Sequence, residues 1–258
     1  MTNRHIKLGA PCYINALPLL YAIHYKKIPS YITCTFDHPT TINTYLDNGQ
    51  IDVGLISAMH FSKNIARYSQ ISNFGIGATN AVKSVCLFLK NTLLQSEKKI
   101  IAIPRSSSSS IALLQALCKN FWNMPAQFIL YDANTSIEEL LTFDGFLLIG
   151  DRCLWQKEIQ GFIKIDLAEA WFTETNLPSI FALFAVEKQY QENMHEFINL
   201  LSCSYSWYIH HKNEVVQHAA KQTKLPIEIV SDYFETINYS LGDPHLQGLQ
   251  LLNSLQSL

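Results

Sequence analysis

Short apolar runs alternate with helix-patterned segments along this chain, and the alternation starts over near Lys99. Ile6–Gly9 reads as a strand, followed by a loop through Asn15 and a helix over Leu17–His24. Ile32–Phe36 is a second strand, and Pro39–Asn48 is a helix that stops at Gly49, a common terminator. Ile51–Ser57 is a buried strand, Met59–Arg67 a helix and Val85–Leu89 a long apolar strand. After the restart, Lys99–Ile103 is a strand, and the serine run 106–110 leads into a helix with Ile111, Leu113, Leu114, Leu117 and Phe121 at helical spacing. Phe128–Tyr131 is a strand, Ile137–Leu141 a helix and Phe146–Ile149 a strand ending at Gly150-Asp151. Ile163–Leu167 and Ile180–Val186 are further strands, and helical segments follow from Gln189 onward. Such alternation predicts an α/β fold with parallel sheets covered by helices. Two units joined by long strands near 82–90 and 178–187 predict two lobes, one from 1–86 plus 182–258 and one from 87–181. The cleft between lobes is then the expected ligand site.

Composition agrees with a folded chain and removes several function classes. With 258 residues, 48% apolar and 16% charged, the chain can bury a large core. Disorder and a coiled coil are excluded. Lys+Arg 19 against Asp+Glu 21 leaves a net charge of -2, which offers no footprint for nucleic acid. Apolar runs all fall short of the roughly 18 residues a membrane span needs. The stretch from Leu8 to Ile23 is broken by Pro11, Asn15 and Pro18 and lacks a small-residue cleavage site, so no signal peptide and a cytoplasmic protein are expected. The six cysteines form no C-x-x-C pair and read as free, mostly buried thiols. The nine histidines show no metal-ligand spacing, and no G-x-G-x-x-G, Walker loop or G-x-S-x-G elbow occurs. No cofactor is expected.

Candidate ligand residues cluster where predicted strands end. The run Ser106–Ser110 sits between a strand and a helix, where free N–H groups and hydroxyls attract carboxylate or phosphate. A plain helix cap is the simpler role for it. Asn15 follows the first strand, Ser84 enters the first crossover strand, and Asp151 follows Ile149-Gly150. Each is either a cleft residue or a local cap. Among the histidines only His60, just past a strand end, is placed near the cleft. These residues suit either a small-anion binding protein or a cofactor-free enzyme.

Six stretches in register resemble the chorismate dehydratase family of the futalosine route to menaquinone. Tyr13-Ile14-Asn15-Ala16-Leu17-Pro18-Leu19 resembles that family's Y-L-N-A-R-P-L, and Ile51-Asp52-Val53-Gly54-Leu55-Ile56 its V-D-V-A-L-V. Val82-Lys83-Ser84-Val85 and Leu147-Leu148-Ile149-Gly150-Asp151 match closely. Asp166-Leu167-Ala168-Glu169-Ala170-Trp171, with Thr175-Asn176-Leu177-Pro178 and Phe181-Ala182, resembles D-L-G-E-E-W…T-G-L-P-F…F-A. Ile237-Asn238-Tyr239-Ser240-Leu241-Gly242 with Gly248-Leu249 resembles the family's ending.

The resemblance implies a type II periplasmic-binding-protein-like fold with a helical C-terminus. It implies a lyase that removes water from chorismate to give 3-[(1-carboxyvinyl)oxy]benzoate without metal or redox cofactor. The alternative is a small-carboxylate binding protein of the same fold. The sister enzyme of the route, acting on cyclic dehypoxanthine futalosine, fits the Y-I-N-A-x-P-L stretch less well. Asn15 and Ser84 carry over as the residues nearest the reacting ring, Ser109 and Ser110 as carboxylate binders, and Asp151 as a cleft residue. No general base carries over and its identity stays open; one option is that the substrate's own enolpyruvyl carboxylate, held by Asn15, takes the proton. This chain has Leu17 and Ser108 where the family has arginines, and Ala58 and His60 where Ser and Glu are expected. Arg105 and Lys83, beside matched positions, are the candidate replacement cations.

Overall fold

The computed structural model describes residues 5–91 and 98–256. Residues 1–4, 92–97 and 257–258 lie outside them. Its strands are β1 (Ile6–Pro11), β2 (Ile32–Asp37), β3 (Val53–Ser57), β4 (Tyr68–Ala78), β5 (Val85–Lys90), β6 (Lys99–Pro104), β7 (Ala126–Tyr131), β8 (Gly145–Ile149), β9 (Phe162–Asp166), β10 (Ser179–Glu187) and β11 (Asn238–Ser240). Its helices are α1 (Leu17–His24), α2 (Pro39–Asp47), α3 (Ala58–Lys63), α4 (Ser108–Ala116), α5 (Ile137–Leu140), α6 (Gly150–Trp155), α7 (Leu167–Thr175), α8 (His195–His210), α9 (Lys212–Thr223), α10 (Ile227–Thr236) and α11 (Asp243–Gln256).

The strands form a six-stranded sheet, ordered β11-β4-β10-β3-β1-β2, and a five-stranded sheet, ordered β7-β6-β8-β5-β9. The sheets are mixed rather than parallel. β1 runs parallel to β2 and β3, and β6 parallel to β7 and β8. β10 runs antiparallel to β3 and β4, and β5 antiparallel to β8 and β9. The two reversed strands are those that the chain enters on changing sheet, so they arrive from the opposite end to their neighbours. The sheet changes themselves occupy 79–84 and 167–178.

Two strands were absent from the sequence reading. In β4, Gly75 and Gly77 interrupt the apolar pattern. Both sit under close neighbours: a Cβ at Gly75 would lie 2.6 Å from the Ala182 carbonyl oxygen. β11 is a three-residue edge strand inside a region that reads as helical. Local capping sets several boundaries. Asp166 accepts hydrogen bonds from the Ala168 and Glu169 N–H groups and starts α7. The same carboxylate accepts from the N–H groups of Val82 and Lys83, tying one sheet-changing segment to the start of the other.

One core cluster lies between the six-stranded sheet and helices α1, α8, α9 and α10, with Leu19, Leu20, Ile23, Phe197 and Val215 fully buried. A second lies between the sheets and joins Ile56 and Met59 to Leu113, Leu114, Leu147, Trp171 and Leu183. Each fully buried aliphatic side chain contributes about 1.5–3 kcal/mol. Helix α11 closes this second core, and the Gln256 amide donates to the Ala112 carbonyl at 3.1 Å. Gly248 permits that docking, because a Cβ there would meet the Pro178 oxygen at 2.1 Å. Among the described residues no helix is long and apolar enough to cross a membrane. The six cysteines are free.

Candidate functional site

The ends of β1, β3, β6 and β8 meet the sheet-changing segment 79–84 at one cavity, lined in part by Tyr13, Asn15, Ser57, Ser84, Ser107 and Ser110. Its volume is about 60 Å³. An apolar cavity of about 150 Å³ holds one benzene, so a ring-sized ligand requires the walls to part. Among the described residues no Lys or Arg lines it. Its polar groups are hydroxyls, the Asn15 amide and the start of α4, where free N–H groups and the helix dipole favour anions.

The serine run divides by helical spacing. Ser107 caps α4 and accepts from the Ser110 N–H at 3.4 Å, while its hydroxyl donates to Ser110 Oγ at 2.8 Å. Both line the cavity, and the Ser110 proton remains for a ligand. Ser108 and Ser109 turn toward Ser57, each with Oγ 2.7 Å from Ser57 Oγ. Ser109 donates to the Phe181 carbonyl at 3.0 Å and accepts from the Met59 N–H at 3.2 Å. One proton per hydroxyl fixes the order as Ser108 to Ser57 to Ser109 to Phe181. Ser109 is thus committed to the protein, joining α4 to β10 and α3, and is not among the residues that line the cavity.

Asn15 and Ser84, far apart in sequence, come together here. Ser84 is buried and accepts from the Tyr233 hydroxyl at 2.9 Å. The Asn15 side chain acts on the same phenol, which burial pushes far above its ordinary pKa. Asn15 Oδ1 is buried and has no hydrogen-bond partner among the described residues. Tyr13 lines the cavity with its ring against Gly150, where a Cβ would meet the ring at 2.5 Å. Gly150 has φ +63°, so the sequence provides the one residue suited to that turn. Burial raises the Tyr13 pKa to about 12, against a lowering hydrogen bond with Ser106.

Asp151 does not line this cavity. It sits in the first turn of α6, and its Oδ1 accepts the Ile14 N–H at 3.2 Å. Burial raises its pKa to about 6, opposed by that hydrogen bond. Leu17 is buried in the core at the start of α1, away from the cavity lining. His60 also stands apart. Its Nε2 lies 3.0 Å from Asp47 Oδ1, an oxygen that also accepts the Tyr68 hydroxyl at 2.5 Å. Helix α3 is only six residues long, and its third residue is rotated off the face that meets the serines. The replacement cations are both engaged elsewhere. Arg105 Nε lies 2.8 Å from Asp132, and Lys83 pairs with Asp232. Sequence reasoning missed Ser57, Ser107 and Tyr233 as site residues. The serine run pointed to Ser107, but nothing local marks Tyr233, which comes from a distant helix. Among the described residues no group of three or more His, Cys, Asp or Glu is placed to hold a metal.

Comparison with known proteins agrees with this architecture. The chain is 25% identical over 260 residues to the chorismate dehydratase of Thermus thermophilus, covering 94% of this chain and 92% of that protein. A solved protein from Archaeoglobus fulgidus superposes with a TM-score of 0.81 at 19% identity, covering 100% of this chain and 98% of that one. The periplasmic aliphatic sulphonate binding protein of Escherichia coli superposes with a TM-score of 0.66 at 15% identity, covering 98% and 88%. The fold is therefore that of the periplasmic binding proteins. The profile of a menaquinone biosynthesis family matches residues 6–257, and the chain belongs to that family.

Proposed function

We propose that the protein is a cytoplasmic chorismate dehydratase that forms 3-[(1-carboxyvinyl)oxy]benzoate for menaquinone synthesis by the futalosine route. The observation that carries this is the meeting of Asn15 and Ser84 in one cavity, with Ser84 held by the buried Tyr233 phenol and Asn15 Oδ1 without a hydrogen-bond partner among the described residues. The dehydratase relative supports the same reaction.

The elimination balances without any external reagent. The C3–H bond breaks and its electron pair becomes a ring double bond. The C4–O bond breaks, and the proton and hydroxide together make the released water. The ring becomes aromatic, so the protein's work is orientation and exclusion of water. Among the described residues no carboxylate or imidazole lines the cavity to act as base. The substrate's enolpyruvyl carboxylate fills that role, held by the Asn15 amide. Ser107, Ser110 and the α4 N-terminus hold a carboxylate in place of the arginines replaced by Leu17 and Ser108. Closure of the lobe built on the five-stranded sheet over the lobe built on the six-stranded sheet then seals the cleft.

Incubation of the purified protein with chorismate, followed by mass spectrometry of the small molecules, tests this reading. The expected product is lighter by one water and has an aromatic ultraviolet spectrum. Intact chorismate that raises Tm would instead identify a binding protein of this fold.

A further inference from the structure

Tyr233 bonds to Ser84 of the proposed chemistry, yet belongs to none of the matched sequence stretches. It lies on α10 and is fully buried. A phenol has one proton to give and an oxygen that accepts. Here the proton goes to Ser84 Oγ at 2.9 Å. Ser84 therefore spends an oxygen lone pair on the tyrosine, and its own proton must point elsewhere. Ser84 lines the cavity, so that proton is available to a bound ligand.

The same wall carries Asn15, whose Oδ1 is buried without a hydrogen-bond partner among the described residues. Ser84 presents an O–H donor at that wall, the group that an oxygen gaining negative charge calls for. Burial keeps the phenol protonated across the physiological range, so the arrangement does not reverse with pH.

We propose that Tyr233 is a positioning residue that fixes Ser84 as the donor toward the departing hydroxyl of the substrate. This rests on the dehydratase reading above. The donor from Ser84 meets negative charge growing on the C4 oxygen as its bond breaks.

Steady-state kinetics with chorismate on wild type, Tyr233→Phe, Ser84→Ala and the double variant test it. Tyr233→Phe keeps the buried ring and removes only the hydroxyl. It should lower kcat about ten- to a hundredfold, the lower range for one displaced transition-state donor, with KM little changed. In the Ser84→Ala background the same substitution should lower kcat by much less, because its route of action is gone. Should Tyr233→Phe fail to fold, Tyr233→Met, of similar bulk without a hydroxyl, carries the same expectation. Wild-type kcat in a folded Tyr233 variant, or fully multiplicative losses in the double variant, would overturn the proposal alone. Wild-type protein that leaves chorismate intact would overturn the dehydratase reading and this inference with it.

Discussion

Asp151→Asn should stabilise the protein at neutral pH. Burial raises the folded-state pKa of Asp151 from its ordinary 3.8 to about 6, even with the Ile14 N–H bonded to the carboxylate. The folded chain therefore binds the Asp151 proton more tightly than the unfolded chain between about pH 4 and pH 6. Stability falls as pH rises through that window, and the whole penalty is present above it. A difference of about two pKa units corresponds to about 3 kcal/mol. The neighbouring groups do not reverse the sign. Cys12 and Tyr13, whose pKa values the Asp151 charge helps to raise, stay neutral across the window. Asparagine cannot ionise and keeps a carbonyl oxygen for the Ile14 N–H. Urea denaturation of wild type and variant from pH 4 to pH 8 measures the effect. The variant should gain about 1–3 kcal/mol above pH 6 and nothing near pH 4. A gap that stays constant with pH, or a variant less stable at pH 7, would refute the reasoning.

The serine run and the cavity mouth give further outcomes. Ser109→Ala leaves the Met59 N–H and Phe181 carbonyl without their partner, so it should cost about 1–3 kcal/mol of stability in urea denaturation. Its KM for chorismate should stay near wild type. Ser110→Ala should do the reverse, raising KM about 10- to 100-fold, the worth of one hydrogen bond to a charged group, with stability little changed. Equal KM effects from the two serines would contradict the division of the run. Gly150→Ala combines a left-handed φ of +63° with a Cβ 2.5 Å from the Tyr13 ring. Strain and crowding together should cost about 2–5 kcal/mol, and a loss under about 1 kcal/mol in urea denaturation would show that Tyr13 moves aside freely.

The two-lobed α/β arrangement was legible because strands such as Val53–Ser57 and Gly145–Ile149 are buried throughout and read as continuous apolar runs. The mixed strand direction was not, since the direction of β5 and β10 depends on which sheet the chain is leaving. β4 was hidden by glycines whose purpose is contact with Ala182 and Leu241, distant in sequence. At the site, Asn15 and Ser84 were legible from matched stretches, and Ser110 from its place at a helix start. Ser109 and Ser110 are adjacent and chemically identical, and only the rotation of α4 sends one to Ser57 and the other to the cavity. His60 follows a strand end, as a cleft residue would, yet the short α3 turns it to Asp47. Tyr233 lies 149 positions from Ser84, and no local pattern reports such a contact.

The central claim is that chorismate loses water at the point where Asn15 and Ser84 meet. Initial rates of chorismate consumption, measured side by side for wild type and Asn15→Ala at saturating substrate, test it most directly. The account predicts turnover by the wild type and a loss of about a hundredfold or more in the variant, the scale of removing one preorganised polar contact. Near wild-type kcat in Asn15→Ala would contradict it.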